Sequence, residues 1–74
     1  MPPYLNLDEI FVYHVPFGDQ AERYTKLREA AKAYAQTILD LTPSSAEQTL
    51  AIRDVQRASM MANASIAINE KAAP

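Results

Sequence analysis

The sequence predicts an all-α chain: an antiparallel helical hairpin with an N-terminal arm or short helix, assembled as a homo-oligomer. Three observations predict it. Residues 20–41 carry an apolar stripe, Tyr24, Leu27, Ala31, Tyr34, Ile38 and Leu41, whose spacing alternates between three and four. Pro43 breaks the chain directly after that stripe, and serines follow it. The stretch Ala58 to Asn69 then keeps a helical composition but carries no charge on any face. A two-helix hairpin buries one face of each helix, not all sides, so this uncharged segment is expected to meet copies of the same chain.

The elements follow in order within a single domain, residues 1–74. Residues 1–18 form the arm. Pro2 and Pro3 open it loosely. From Leu7 to His14 helix and strand signals mix: Asp8 and Glu9 suit a short helical first turn, whereas Phe11, Val12 and Tyr13 suit an extended segment. A short helix or turn leading into an extended arm is the expectation. Val15-Pro16-Phe17-Gly18 ends it.

The first long helix occupies residues 19–41, with Asp19 as the N-cap and Glu22 three residues on as a capping-box partner. Thr42-Pro43-Ser44 stops it, and Ser44 with Glu47 forms a second S-x-x-E box. The second long helix occupies residues 45–70, with Leu50, Ala51 and Val55 inward and Arg53, Asp54 and Arg57 toward solvent. So short a connection makes the two helices antiparallel neighbours. In that register Lys32 lies level with Arg53 to Arg57. Ala72-Ala73-Pro74 is a tail.

Composition excludes several classes of function. The chain has 74 residues, no cysteine and one histidine, and a net charge of −2. Disulfides and thiolate metal sites are therefore excluded, and oligomerisation is the remaining aid to a core this small. The charge balance argues against sequence-independent binding to duplex nucleic acid, which needs a broad basic surface. A small phosphate ligand in a local basic pocket stays open. No apolar run reaches the roughly 20 residues that cross a bilayer, and no basic-then-apolar leader opens the chain, so neither membrane insertion nor a signal peptide is expected.

Catalysis finds no support in the residue inventory. A nucleophile needs a base, and the base an orienting group. His14 is the single histidine, and Ser44, Ser45, Ser59 and Ser65 fall at cap or packing positions. Binding residues are better represented. Arg23, Lys26, Arg28 and Lys32 cluster in the first half of the first long helix, where the macrodipole favours anions rather than cations. They read either as a solvated face or as the seat of an anion. Tyr4, Phe11, Tyr13 and Phe17 make the arm aromatic, to pack on a helix or a neighbouring protomer, or to stack on a planar ligand. Asn63 and Asn69 interrupt the apolar helix end, as register-fixing contacts or as ligand contacts near an oligomer axis.

The order Phe11-x-Tyr13-His14-x-Pro16, then Gln20-x-x-Arg23-Tyr24-x-x-Leu27-Arg28-x-x-Ala31, then the turn with Pro43, Ser44 and Glu47, then Met61-Ala62-Asn63-Ala64-x-Ile66-Ala67, resembles a known family over residues 10–70. It is similar to the phage hairpin family of anti-CBASS cyclic-nucleotide sponges, which also includes the hairpin module of a Thoeris anti-defence protein. The resemblance implies a hexamer of interlocked trimers in the cytoplasm of an infected bacterium. It implies binding of cyclic dinucleotides such as cyclic GMP–AMP between paired protomers. Some members also hold cyclic trinucleotides such as cyclic tri-AMP near the threefold axis. In the family an arm tyrosine and a basic residue of the next helix contact the dinucleotide. Tyr13 matches the first; Arg28 matches the second, with Lys26 as the alternative. The candidate ligand-binding residues are thus Tyr13, His14, Lys26 and Arg28, with no catalytic residue, metal or cofactor. The competing reading is a homo-oligomeric protein-interaction module that inhibits a host protein directly.

Overall fold

The computed structural model describes residues 5–71, so Tyr4 and the expected loose start and tail lie outside the described residues. The order is α1 (Leu7–Ile10), α2 (Gln20–Leu41) and α3 (Ala46–Asn69), with α2 and α3 packed as a hairpin. No strand occurs among the described residues. Among the described residues no helix is long and apolar enough to cross a membrane.

Local chemistry sets each boundary. Asn6 caps α1, its side-chain oxygen accepting from the Asp8 and Glu9 amides at 3.0 and 3.3 Å. After Phe11 the chain runs irregularly to Gly18, whose φ of +58° suits a residue without a Cβ. The expected Asp19–Glu22 capping box does not form. Asp19 sits at φ −91°, ψ 12°, away from the extended geometry that aims a cap side chain at the helix, and its carboxylate instead accepts from Arg23 Nε at 3.1 Å.

The expected Ser44–Glu47 box is replaced by a simple N-cap one residue later. Ser45 is extended and its Oγ accepts from the Gln48 amide at 3.1 Å. Gln48 reaches back across the turn, donating to both the carbonyl and the hydroxyl oxygen of Thr42 at 3.0 Å. The connection is thereby tied to the last turn of α2.

Packing differs from the sequence expectation in depth. No apolar residue is fully buried among the described residues. Within the stripe, Tyr34 and Leu41 are exposed, and Leu50, expected inward, is 62% exposed. The hairpin contact runs along small and half-buried side chains: Leu27, Ala31 and Ile38 opposite Ala51, Val55 and Ala62. Alanines bring the helix axes close, and larger side chains lean outward. The result is a flat molecule, 50 × 31 × 15 Å, with a radius of gyration of 15.5 Å, whereas a compact domain of this length has about 11 Å.

Polar groups close the open end of the hairpin. Gln20 is the one buried residue among the described residues, 2% exposed. Its oxygen accepts from the Phe17 amide at 3.1 Å and its nitrogen donates to Glu70 Oε1 at 3.1 Å. Arg23 meets the same carboxylate with its fork, Nη1 donating to Oε2 at 2.7 Å and Nη2 to Oε1. The Arg23 fork and then the Gln20 amide hold the Glu70 carboxyl down at about 2, and the hydrogen bonds to Glu70 push Arg23 up. Lys71 donates to Glu9 Oε2 at 2.7 Å, which lowers the Glu9 carboxyl and ties α1 to the end of α3.

Two predictions follow from these closures. Ser45→Ala is expected to cost about 1 kcal/mol, the typical value of an N-cap, read as a lower midpoint in chemical unfolding with unchanged slope. Because the Glu70 pKa is depressed from 4.5 to about 2, its contribution is complete above about pH 4.5 and is lost as pH falls through about 2. Glu70→Gln is therefore expected to lower Tm at neutral pH and to flatten the acid loss between those values. An unchanged acid profile by circular dichroism would contradict the clasp.

Candidate ligand-binding site

The clasp decides where the arm returns. Phe17 is held by Gln20 and Glu9 by Lys71, so residues 10–16 pass across the open end of the hairpin. Beneath them lies a concavity of about 460 Å³. The arm supplies Tyr13 and His14, α2 supplies Tyr24 and Arg28, and α3 supplies Asn63 and Ile68. Tyr24 and Arg28 lie one turn apart on one helix face. The α3 positions 63, 64, 67 and 68 likewise share a face, and Ala64 and Ala67 keep the floor low.

Each polar group has a defined posture. His14 Nε2 stands 2.7 Å from the Glu9 carbonyl oxygen. A carbonyl only accepts, so Nε2 carries the proton and Nδ1 is left for another partner. That bond joins the arm to the end of α1. Tyr13, the next residue back, is 81% exposed and presents nearly its whole ring. Arg28 is exposed and forms no ion pair among the described residues. Its one side-chain hydrogen bond among the described residues is a long one, Nη2 donating to Thr25 Oγ1 at 3.5 Å. Asn63 Oδ1 is buried without a partner.

Three of the four sequence candidates thus come together: Tyr13, His14 and Arg28. Lys26 does not join them. Two residues along a helix is a rotation of about 200°, so Lys26 faces away from Arg28, pairs with Glu22 at 3.3 Å and borders a different hollow with Arg23 and Leu27. Arg23, one of the clustered cations, is committed to the clasp. Asn69 donates to the Ser65 carbonyl at 2.9 Å, a bond within its own helix. Tyr24 was read from sequence as a packing residue only; its distance of one turn from Arg28 was the signal that it shares the site.

An exposed ring and an unpaired guanidinium lining one concavity with small apolar residues suit a planar ligand carrying negative charge. Among the described residues no group of His, Asp and Glu is placed to hold a metal ion. The fold and the concavity define a small helical hairpin with an arm that crosses its open end. The family described as Acb2/Tad1, hairpin domain, matches residues 5–67, and the chain belongs to that family. No curated protein and no solved structure gives a significant match.

The His14 bond makes a prediction independent of any ligand. His14→Ala is expected to loosen residues 11–16, read as falling backbone heteronuclear NOE values there with α2 and α3 unchanged. Equal values in both proteins would show that the bond does not hold the arm.

Proposed function

We propose that this chain is a phage anti-defence sponge: it binds cyclic oligonucleotide immune signals, cyclic dinucleotides such as cyclic GMP–AMP above all, and withholds them from CBASS effectors without cleaving them. The observation that carries this reading is the meeting of Tyr13, His14 and Arg28, from two separate elements, around one concavity. Membership of the Acb2/Tad1 hairpin family supports it.

The chemistry of the site fits the task. A base stacked on an aromatic ring gains about 1–3 kcal/mol. The Arg28 fork suits a phosphodiester, which accepts two parallel hydrogen bonds. His14 Nδ1, free of the Glu9 bond, is left to accept a hydrogen bond from the same ligand. Sequestration needs affinity and abundance, not turnover. Competition with a receptor at nanomolar signal levels corresponds to about −12 kcal/mol.

A homo-oligomer completes the site in this reading, with a hexamer as the expected assembly. The accessible surface is 5989 Å² for 8.2 kDa, whereas a compact monomer of that mass exposes about 4,500 Å². Phe11, Val15, Tyr34, Leu41, Met60 and Met61 are all more than half exposed. A twofold pairing of protomers presents each residue twice, which matches the near-twofold symmetry of a cyclic dinucleotide. One Tyr13 and one Arg28 per chain become two rings and two cations. Cyclic trinucleotides such as cyclic tri-AMP are a second ligand class to test, and the host cytoplasm is where both classes of signal are met.

Calorimetric titration with cyclic GMP–AMP tests the assignment. Tyr13→Ala is expected to weaken binding about five- to 150-fold for the loss of one stacked base, and Arg28→Ala at least about tenfold. Both variants are expected to keep the oligomer, because neither side chain takes part in the clasp. Unchanged dissociation constants for both would remove the assignment. No uptake by the wild-type protein, with a stable complex to a host protein instead, would favour the interaction-module reading.

A further inference from the structure

Residues 5–17 are bonded more to themselves than to the hairpin. Asn6 caps α1, the Phe11 amide donates to the Leu7 carbonyl at 3.0 Å, and His14 Nε2 returns to the Glu9 carbonyl oxygen at 2.7 Å. Residues 6–14 are thereby one small bonded unit. Within residues 5–17 only Glu9, Ile10 and His14 are half-buried, and every other residue is exposed. Among the described residues, hydrogen bonds and ion pairs join this segment to the rest of the molecule at two places, one toward each end.

The two ties are unequal. Phe17 is held twice by Gln20: its amide donates to Gln20 Oε1 and its carbonyl accepts from the Gln20 amide, both at 3.1 Å. Gln20 is itself buried and bonded to Glu70, so water competes poorly for that tie. At the other end stands a single ion pair, Lys71 Nζ to Glu9 Oε2 at 2.7 Å, between side chains that are 65% and 38% exposed. An exposed ion pair contributes little and is screened by salt. Two consecutive residues past α3 therefore hold the two ends of the arm: Glu70 the strong one, through Gln20, and Lys71 the weak one. Gly18, with open space where a Cβ would stand, follows directly after the strong tie.

We propose that the arm is a strap that swings as a unit about its Phe17 end, with the Glu9–Lys71 pair as its latch, and that the latch controls passage of ligand into and out of the concavity. The concavity is lined by the arm on one side and by α2 and α3 on the other, so releasing the α1 end widens its mouth without disturbing the hairpin. Glu9 and Lys71 do not line it. They act on the ligand only through the arm and are positioning residues. The latch holds the arm with or without ligand, so it slows entry and exit alike and leaves affinity nearly unchanged. The effect on ligand rests on the sponge reading; the latch itself rests on the two ties alone.

The chain contains no cysteine, so Asp8→Cys with Glu29→Cys places two spin labels uniquely, one on α1 and one on α2. Labelled chains diluted into unlabelled protein are read by double electron–electron resonance. One narrow distance is expected at low salt, and a broad distribution in Lys71→Met, which keeps the aliphatic stem but not the charge. Glu9→Lys combined with Lys71→Glu is expected to restore the narrow distance. In stopped-flow binding of cyclic GMP–AMP, Lys71→Met is expected to raise association and dissociation rates together, each at least about threefold, with Kd held within about twofold. A distribution that stays narrow in Lys71→Met would overturn the latch. A broad one with unchanged rates, or with a weaker Kd carried by dissociation alone, would overturn its control of the site. No uptake by the wild-type protein would remove the sponge reading and that control with it, while the distances still decide the latch.

Discussion

Two helices side by side share a single line of contact, and a chain built on that line has no interior. This constraint governs the molecule. Alanine on the contact line lets α2 and α3 approach closely, but no apolar residue becomes fully buried among the described residues. Order at the open end of the hairpin comes from polar groups instead. The fork of Arg23 on Glu70, with Gln20 bridging to the Phe17 backbone, joins the start of α2, the end of α3 and the arm in one hydrogen-bonded cluster. Such a cluster is directional, so it fixes geometry in a way that loose apolar contact does not.

The candidate site is a consequence of that geometry. With Phe17 and Glu9 both anchored, the intervening arm brings Tyr13 and His14 to the concavity that Arg28 also lines. The clasp consumes Arg23 and the helix surface consumes Lys26, so Arg28 is the cation left for the arm. Exposure of the Tyr13 ring and of large apolar side chains on both long helices has a common origin in the missing interior. In the proposed reading a second protomer covers the apolar faces while the ligand covers the ring.

The two long helices were legible because their signals are local: a stripe with helical spacing, a proline stop and a serine start. The N-terminal signals were read with the wrong side-chain roles. Asp19 looks like a cap by type, but Arg23 one turn on competes for its carboxylate, and the competition depends on Glu70 about fifty residues away. The cap at α3 slipped from Ser44 to Ser45 because two adjacent serines offer the same chemistry and backbone angles decide between them. Depth of burial was not legible for Leu50, since an apolar residue in a helical pattern does not reveal whether a partner exists to cover it. For the site, Tyr13 and Arg28 came from the resemblance, and helical geometry alone was enough to separate Arg28 from Lys26. That Arg28 escapes pairing depends on where every carboxylate goes, which only the folded arrangement decides.

The central claim is that copies of this hairpin assemble and hold a cyclic nucleotide intact. Native mass spectrometry of the purified protein, alone and with cyclic GMP–AMP, followed by release under denaturing conditions, tests it most directly. The account predicts a six-chain species that takes up three dinucleotides and releases them uncleaved. A monomer, an assembly that takes up no nucleotide, or the release of linear products would contradict it.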